Sequence, residues 1–205
     1  MTVTVWIQAA GTVLLGLVGL WFAHNYRRQI RLKLAERQVE SYMRLWGLTA
    51  LASPFRDTPL DAAERRQLFD DMSKWYFDDG DGILMSTASR DLFVVVHTNL
   101  GCPLGTVKPS GLAEQLAALP PAEAERRRGC ALVRQVSLLR TQLKSDLAMH
   151  VGVNYFPELL ADDRAFLASC GLSARRRPWR RRALRRPDRT AVTPCVCGSC
   201  PAKTP

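Results

Sequence analysis

The sequence predicts an all-α protein in which an N-terminal transmembrane helix continues into a cytoplasmic helical bundle, followed by a disordered, arginine-rich tail. Residues 2–23 are 22 positions without a charged side chain, which as a helix is long enough to cross a hydrocarbon core of about 30 Å. Apolar residues recur at helical spacing beyond residue 26. Residues 175–189 hold nine Arg, a like-charged block that does not fold alone. We therefore divide the chain into an anchor at 1–25, a helical domain at 26–171 and a tail at 172–205.

The anchor is followed at once by basic residues, among them Arg27, Arg28 and Arg31. A cleaved signal peptide is the alternative, but its charge precedes its apolar run and that run is about 7–15 residues long. Because positive charge is retained in the cytoplasm, the sequence predicts a single-pass protein of the cell membrane with its N-terminus outside. The lipid bilayer is therefore its first expected partner.

Small residues line one face of the predicted span. They are spaced by four, three and four positions, at Thr12, Gly16, Gly19 and Ala23. Such a stripe lets two membrane helices approach closely, so self-association through this helix–helix seam is a hypothesis. Small residues are common in membrane helices in any case.

The membrane helix is predicted to continue outward as a stalk. Residues 26–51 contain no helix breaker, and Ser53 before Pro54 is pushed out of the helical region, which ends the helix. The apolar stripe of this stalk is predicted at Leu34, Val39, Tyr42, Met43 and Trp46.

A second helix is predicted to begin with Thr58 as N-cap and Pro59 in the first position, and to end near residue 78. Its apolar stripe is Leu68, Met72, Trp75 and Tyr76, and Arg65 falls on the solvent side. Residues 79–82, Asp-Gly-Asp-Gly, then form a solvated acidic turn.

The remaining helices follow from caps and spacing. Ser86 or Ser89 caps a helix that includes residues 92–96, a Phe and Val run that would also suit a strand but has no second strand to pair with. Residues 101–121 form a loop with one helical turn at 112–119. The longest bundle helix is predicted at 121–150, with a core stripe at Leu132, Val136, Leu139, Leu143 and Leu147. A last helix at 157–169 stops at Gly171.

The net charge of +10 is unevenly distributed along the chain. Residues 27–44 carry +4, residues 45–174 carry −3 and residues 175–189 carry +8, so the basic segments adjoin the bilayer or lie in the tail. This favours anionic lipid over nucleic acid as the polyanionic partner, although Trp179 could stack on an unpaired base. The residues expected at an anionic surface are Arg27, Arg28, Arg31, Arg175, Arg176, Arg177, Arg180, Arg181 and Arg182.

Motifs for catalysis, cofactors and metals do not assemble in the sequence, so we expect no cofactor. Residues 75–82 contain acidic residues and glycines as a calcium-binding loop does. Aligning either glycine with the sixth position of such a loop puts an aromatic residue in the first position, where it has no side-chain oxygen to bind calcium. Cys195, Cys197 and Cys200 lack the fourth ligand of a closed zinc site. His97 and Cys102 could form a nucleophile pair, but no orienting group is evident.

An enzyme with an unrecognised site remains the alternative to a binding protein. Its polar groups would be Arg90, Arg140, Lys144 and Asp146 around a pocket near the turn at 79–82. The competing interpretation is that these are exposed charges and that Arg140 and Lys144 form a solvated helix face.

Several segments between residues 30 and 155 resemble an uncharacterised family of bacterial single-pass membrane proteins. They are LAER at 34–37, WYF at 75–77 with GDGI at 80–83, SRDLF at 89–93 and LRTQLKSDL at 139–147. The resemblance implies an anchored helical cytoplasmic domain and no known activity. The chain departs from the family after Gly171. We therefore expect a membrane-anchored interaction or regulatory protein that binds a protein partner or itself.

Overall fold

The computed structural model describes residues 2–147, 159–173 and 179, and it describes no side chain of residues 2–13. The described residues form helices and no strand, which confirms the all-α bundle. The α-helices are α1 (Thr2–Leu48), α2 (Ala62–Ser73), α3 (Thr87–Gly101), α4 (Ser110–Ala117), α5 (Pro121–Asp146) and α6 (Ala161–Ser169). Short 3₁₀ segments lie at Thr49–Ala52, Asp81–Leu84 and Leu104–Thr106, and a π-helix at Lys74–Asp78.

The chain divides into two compact units, Met1–Ser41 and Tyr42–Pro205. The first unit is helical from Thr2 onward, and the seven large apolar side chains between residues 14 and 22 are each 46–75% exposed. Within the part of the chain that the structure describes, no helix combines the length and apolar character needed to cross a membrane.

The second unit begins with the last turns of α1, which ends at Leu48 and continues as the 3₁₀ segment Thr49–Ala52. Ser53 is extended, as the sequence predicts for the residue before Pro54. The predicted apolar stripe is only partly correct. Tyr42 and Leu45 are buried, whereas Val39 and Met43 are at least 40% exposed. Apolar residues occur on two faces of this helix, and spacing alone does not tell which face meets the core.

The start of α2 differs from the sequence prediction by three residues. The N-cap is Asp61, not Thr58: the Asp61 side chain accepts from the Glu64 backbone N–H, and the Glu64 side chain accepts from the Asp61 backbone N–H. This reciprocal capping box satisfies two amides at once, which a Thr cap followed by Pro59 does not. Arg65, predicted on the solvent side, is 6% exposed and pairs with Glu125.

Helix α5 forms the centre of the bundle and packs against α3, α4 and α6. Its predicted core stripe is confirmed for Leu132, Val136, Leu139 and Leu143, which are at most 1% exposed. Leu147, the last predicted member, follows the end of the helix and is half-buried. The helix ends at Asp146, before the predicted end at 150, and residue 150 lies outside the described residues.

Helices α3 and α6 confirm two further predictions. Residues 92–96 are helical, and the Ser86 side chain caps α3 by accepting from the Ser89 backbone N–H. Gly171 has a φ of 72°, a left-handed conformation that ends α6 as expected. However, α6 begins at Ala161, four residues later than predicted.

Trp179 falls inside the tail that the sequence predicts to be disordered, yet it is 5% exposed and belongs to the main hydrophobic core. The arginines on either side of it lie outside the described residues. Trp179 therefore packs with the folded unit although it lies beyond residue 171, and the predicted division of the chain at that residue stays a prediction.

Candidate interaction surface

Helix α3 meets α2 and the π-helix that follows α2 through four aromatic rings stacked close to parallel. The Phe69 and His97 ring centroids are 4.2 Å apart at an interplanar angle of 23°. His97 and Phe93 follow at 5.8 Å and 9°, and Phe93 and Tyr76 at 4.9 Å and 19°. Phe93 and His97 are four positions apart on α3, so they lie one above the other on one helix face. Phe69 of α2 flanks them at one end and Tyr76 of the π-helix at the other.

A glycine closes each end of this ring stack. A Cβ atom on Gly101 would come within 2.8 Å of the Phe69 ring, and one on Gly82 within 2.5 Å of the Tyr76 ring. Gly80, with a φ of 71°, lets the chain turn back so that Gly82 reaches that ring. The turn after α2 is therefore held against the ring stack.

Asp81 also holds this turn in place. It is 6% exposed, and its Oδ1 accepts a hydrogen bond from Arg44 Nη2 at 2.8 Å. The predicted solvated acidic turn is therefore wrong for Asp81, which serves as a buried anchor paired with α1. It remains correct for Asp79, which is exposed.

The anchored turn presents four exposed side chains. Phe77 is 68% exposed and Ile83 is 87% exposed, and the neighbouring Asp78 and Asp79 are also exposed. We call Phe77, Asp78, Asp79 and Ile83 the aromatic–acidic surface. Two large apolar side chains held in solvent by a well-anchored turn are a candidate for contact with a partner.

The π-helix explains why the sequence prediction missed this surface. Trp75, Tyr76 and Phe77 are consecutive, and only Trp75 is fully buried while Tyr76 lies in the ring stack. A single-turn π segment widens the helix and shifts the following residue off the core face, a feature that is frequent at functional sites. Three consecutive aromatic residues were the available signal, because one helix face cannot bury all three.

His97 makes its side-chain hydrogen bond to Ser73, with Nε2 and Oγ 2.6 Å apart, rather than forming the pair proposed with Cys102. Burial lowers the pKa of His97, and a hydrogen bond to the Phe69 backbone partly offsets this. In turn, Ser73 Oγ donates to the Phe69 carbonyl at 2.8 Å. These contacts describe a structural histidine within the ring stack.

The four polar groups of the alternative enzyme site have three different sets of contacts. Asp146 accepts hydrogen bonds from Tyr42 Oη at 2.9 Å, Ser89 Oγ at 2.6 Å and Gln142 Nε2 at 2.9 Å. Arg140 and Lys144 both lie over the Trp46 ring, at 4.7 and 4.8 Å from its centroid. Arg90 is exposed beside Asp91. Asp146 thus joins α1, α3 and α5, and Arg140 is no solvated charge.

Two arginines of α5 bind the C-terminal carbonyls of other helices. Arg140 donates to Thr49 Oγ1 at 2.9 Å and to the Trp46 carbonyl at 3.0 Å. Burial lowers the pKa of both Arg140 and Arg128. Arg128 Nη2 donates to three carbonyls at the end of α3, those of Asn99, Leu100 and Cys102. A cation at a helix C-terminus interacts favourably with the negative end of the helix dipole, so both arginines have a structural role.

Some of the residues predicted at an anionic surface and at the helix–helix seam are described by the structure, and others are not. Arg27, Arg28 and Arg31 are exposed on α1, as are Gly16, Gly19 and Ala23. The Thr12 side chain lies outside the described residues, as do Arg175, Arg176, Arg177, Arg180, Arg181 and Arg182. The seam and the basic surface remain predictions.

Among the described residues, no three His, Cys, Asp or Glu side chains cluster as metal ligands would, and Cys195, Cys197 and Cys200 lie outside them. Burial raises the pKa of Cys170 to about 11, so this thiol stays protonated at neutral pH.

No protein-family model, no curated protein and no solved structure matches this chain.

Proposed function

We propose that this chain is a single-pass membrane protein whose cytoplasmic helical bundle binds a protein partner and thereby positions or regulates it at the membrane. The observation that carries the anchor is the apolar surface around the whole circumference of α1 in its first part. Its large side chains from Leu14 to Phe22 are exposed all around the helix, and residues 2–23 contain no charge. A helix that is apolar on every side needs an apolar environment around it.

Charge supports the orientation of the anchor. Arg27, Arg28 and Arg31 are exposed on α1 within eight residues of Ala23, which corresponds to about 12 Å of helix. That distance is close to one Debye length, about 8–10 Å, so these guanidinium groups can interact with anionic headgroups of the cytoplasmic leaflet. We place the bundle in the cytoplasm and the N-terminus outside.

Binding, rather than catalysis, fits the use of the polar groups. The buried or half-buried charges Asp146, Arg140 and Arg128 are each engaged in contacts that join helices. In contrast, the aromatic–acidic surface presents apolar side chains to solvent at a turn fixed by Gly82 and Asp81. This surface is our candidate for the contact with the partner.

Crosslinking in native membranes tests this function. A photo-crosslinking amino acid at Ile83, which is 87% exposed, should capture one reproducible protein, and the same group at Phe55, which is 93% exposed, is the matched control. The Ile83 adduct should disappear when Phe77 is changed to Ala.

Alkaline carbonate extraction tests the anchor separately, because the full chain should stay with the membrane and a chain without residues 2–23 should not. Recovery of the full chain in the supernatant would contradict the anchor.

A further inference from the structure

We propose that the aromatic–acidic surface is the docking site for an arginine-rich segment of this same chain, residues 180–189, which then competes with the partner for it. The competition, though not the docking itself, depends on the partner-binding function proposed above. The segment contains six Arg, one Asp and Leu184. It begins directly after Trp179, the last residue that the structure describes.

The chemistry of the surface matches a guanidinium group. Carboxylates accept two parallel hydrogen bonds from an arginine, and Asp78 and Asp79 are both exposed. The face of an aromatic ring attracts the same cation, and Phe77 is 68% exposed. Ile83 adds an apolar contact for an aliphatic residue such as Leu184. An anionic lipid surface would be repelled by the two carboxylates, so a basic segment is the better occupant.

The surface is also organised before anything binds. Gly82 lies against the Tyr76 ring, and Asp81 is buried in its pair with Arg44. The backbone between them therefore loses little freedom on binding, which lowers the entropic cost of docking.

Trp179 brings the segment to the bundle. Because Trp179 is 5% exposed within the main hydrophobic core, the chain that follows it starts at the bundle itself. Ten extended residues span up to about 33–36 Å, whereas a compact domain of about 130 residues has a radius of gyration of about 14 Å. A tethered segment has an effective concentration in the millimolar range, so even weak surface ion pairs can hold it.

Trypsin tests the docking because it cleaves after exposed arginines. The full chain is digested in neutral detergent micelles at low salt, and cleavage after Arg181, Arg182 and Arg185 is followed by mass spectrometry. We expect the double variant Asp78→Asn, Asp79→Asn to be cleaved there about fivefold faster, equivalent to about 1 kcal/mol for two lost surface pairs. About 0.5 M salt should have the same effect on the unmodified chain, because it shortens the Debye length to a few ångströms.

Two matched variants keep the test specific. Glu114→Gln with Asp162→Asn removes two exposed carboxylates elsewhere on the bundle and should leave the cleavage rate unchanged. Phe77→Ala removes an exposed ring and should raise the rate severalfold. Cleavage of the unmodified chain at the rate of the double variant would overturn the proposal. Protection that disappears on dilution would overturn it too, in favour of docking onto a second copy. Carbonate extraction does not depend on either result. A crosslink from Ile83 to a separate protein is distinguished by its mass from a crosslink to residues 180–189 of the same chain.

Discussion

Gly129 shows how closely one residue of α5 is packed. A Cβ atom there would meet the backbone carbonyl of Leu60 and approach its nitrogen to 2.9 Å. Backbone cannot move aside as a flexible side chain can, so we expect Gly129→Ala to lower the free energy of unfolding by about 1–3 kcal/mol. Chemical denaturation monitored by circular dichroism measures this. Gly111→Ala on α4 is the control: nothing lies within 4 Å of its Cβ position, and it should cost nothing or stabilise by up to about 1 kcal/mol. Equal effects of the two changes would contradict the contact.

His97 should make the stability of the bundle depend on pH. Burial lowers its pKa in the folded protein below 6.5, so between the two pKa values the unfolded chain binds more protons. The free energy of unfolding should therefore fall as pH falls below about 6.5 and level off below the folded-state pKa. In His97→Phe, which keeps a ring between Phe69 and Phe93, this contribution should be absent. Denaturation at a series of pH values compares the two proteins.

Ser73→Ala is the control for the pH effect. It removes the hydroxyl that bonds His97 Nε2 but keeps the buried imidazole, so its stability should still fall with pH in the same window. Parallel pH profiles for the unmodified protein and His97→Phe would show that His97 does not carry the effect.

Single residues also mark the limit of sequence interpretation. Arg65 and Asp81 are charged residues that the pattern assigns to solvent, yet both are buried because each meets an opposite charge from a distant segment, Glu125 and Arg44. Such pairings arise only when the chain is folded, and periodicity within one helix does not contain them.

At the scale of an element, the start of α2 can be tested directly. Asp61→Ala removes the side chain that caps the Glu64 amide, and we expect it to cost about 1 kcal/mol of unfolding free energy. Thr58→Ala should cost less, because Thr58 lies outside the helix and its hydroxyl only accepts a hydrogen bond from Arg56. Urea denaturation compares the two variants. A larger loss for Thr58→Ala would restore the cap that the sequence alone predicts.

Helices with strong local signals were predictable from the sequence, and the candidate surface was not. The apolar stripe of α5 repeats over several turns, Ser86 marks the start of α3, and Gly171 ends α6. Each of these features depends on residues that are close together in the sequence. The aromatic–acidic surface depends on the π-helix after α2 and on Gly82 reaching the Tyr76 ring. Gly82 and Tyr76 come together only when the chain turns back at Gly80, so the spacing of residues within one helix does not contain this contact. The burial of Trp179 could not be predicted from the sequence either. The arginine-rich composition around it predicts a tail, whereas its burial depends on contacts with the hydrophobic core.

At the scale of the whole molecule, the decisive prediction is topology. Moving the bundle to the outside would require transferring the six basic residues at 27–44 across the bilayer, against the preference for retained positive charge. In intact cells, a membrane-impermeant thiol reagent should therefore label a cysteine placed at Thr2 and not one placed at Glu114, which is exposed on α4.

Peptide mapping completes this experiment without removing the natural cysteines. Cys102, Cys130, Cys170, Cys195, Cys197 and Cys200 should all stay unmodified in intact cells if the chain beyond Arg27 is cytoplasmic. Permeabilising the cells should make the Glu114→Cys site reactive, which shows that protection came from the membrane and not from burial. Prompt labelling of that site in unbroken cells, with a cytosolic control protein still protected, would reverse the orientation. A partner would then have to be sought outside the cell, because the aromatic–acidic surface belongs to the same folded unit as Glu114.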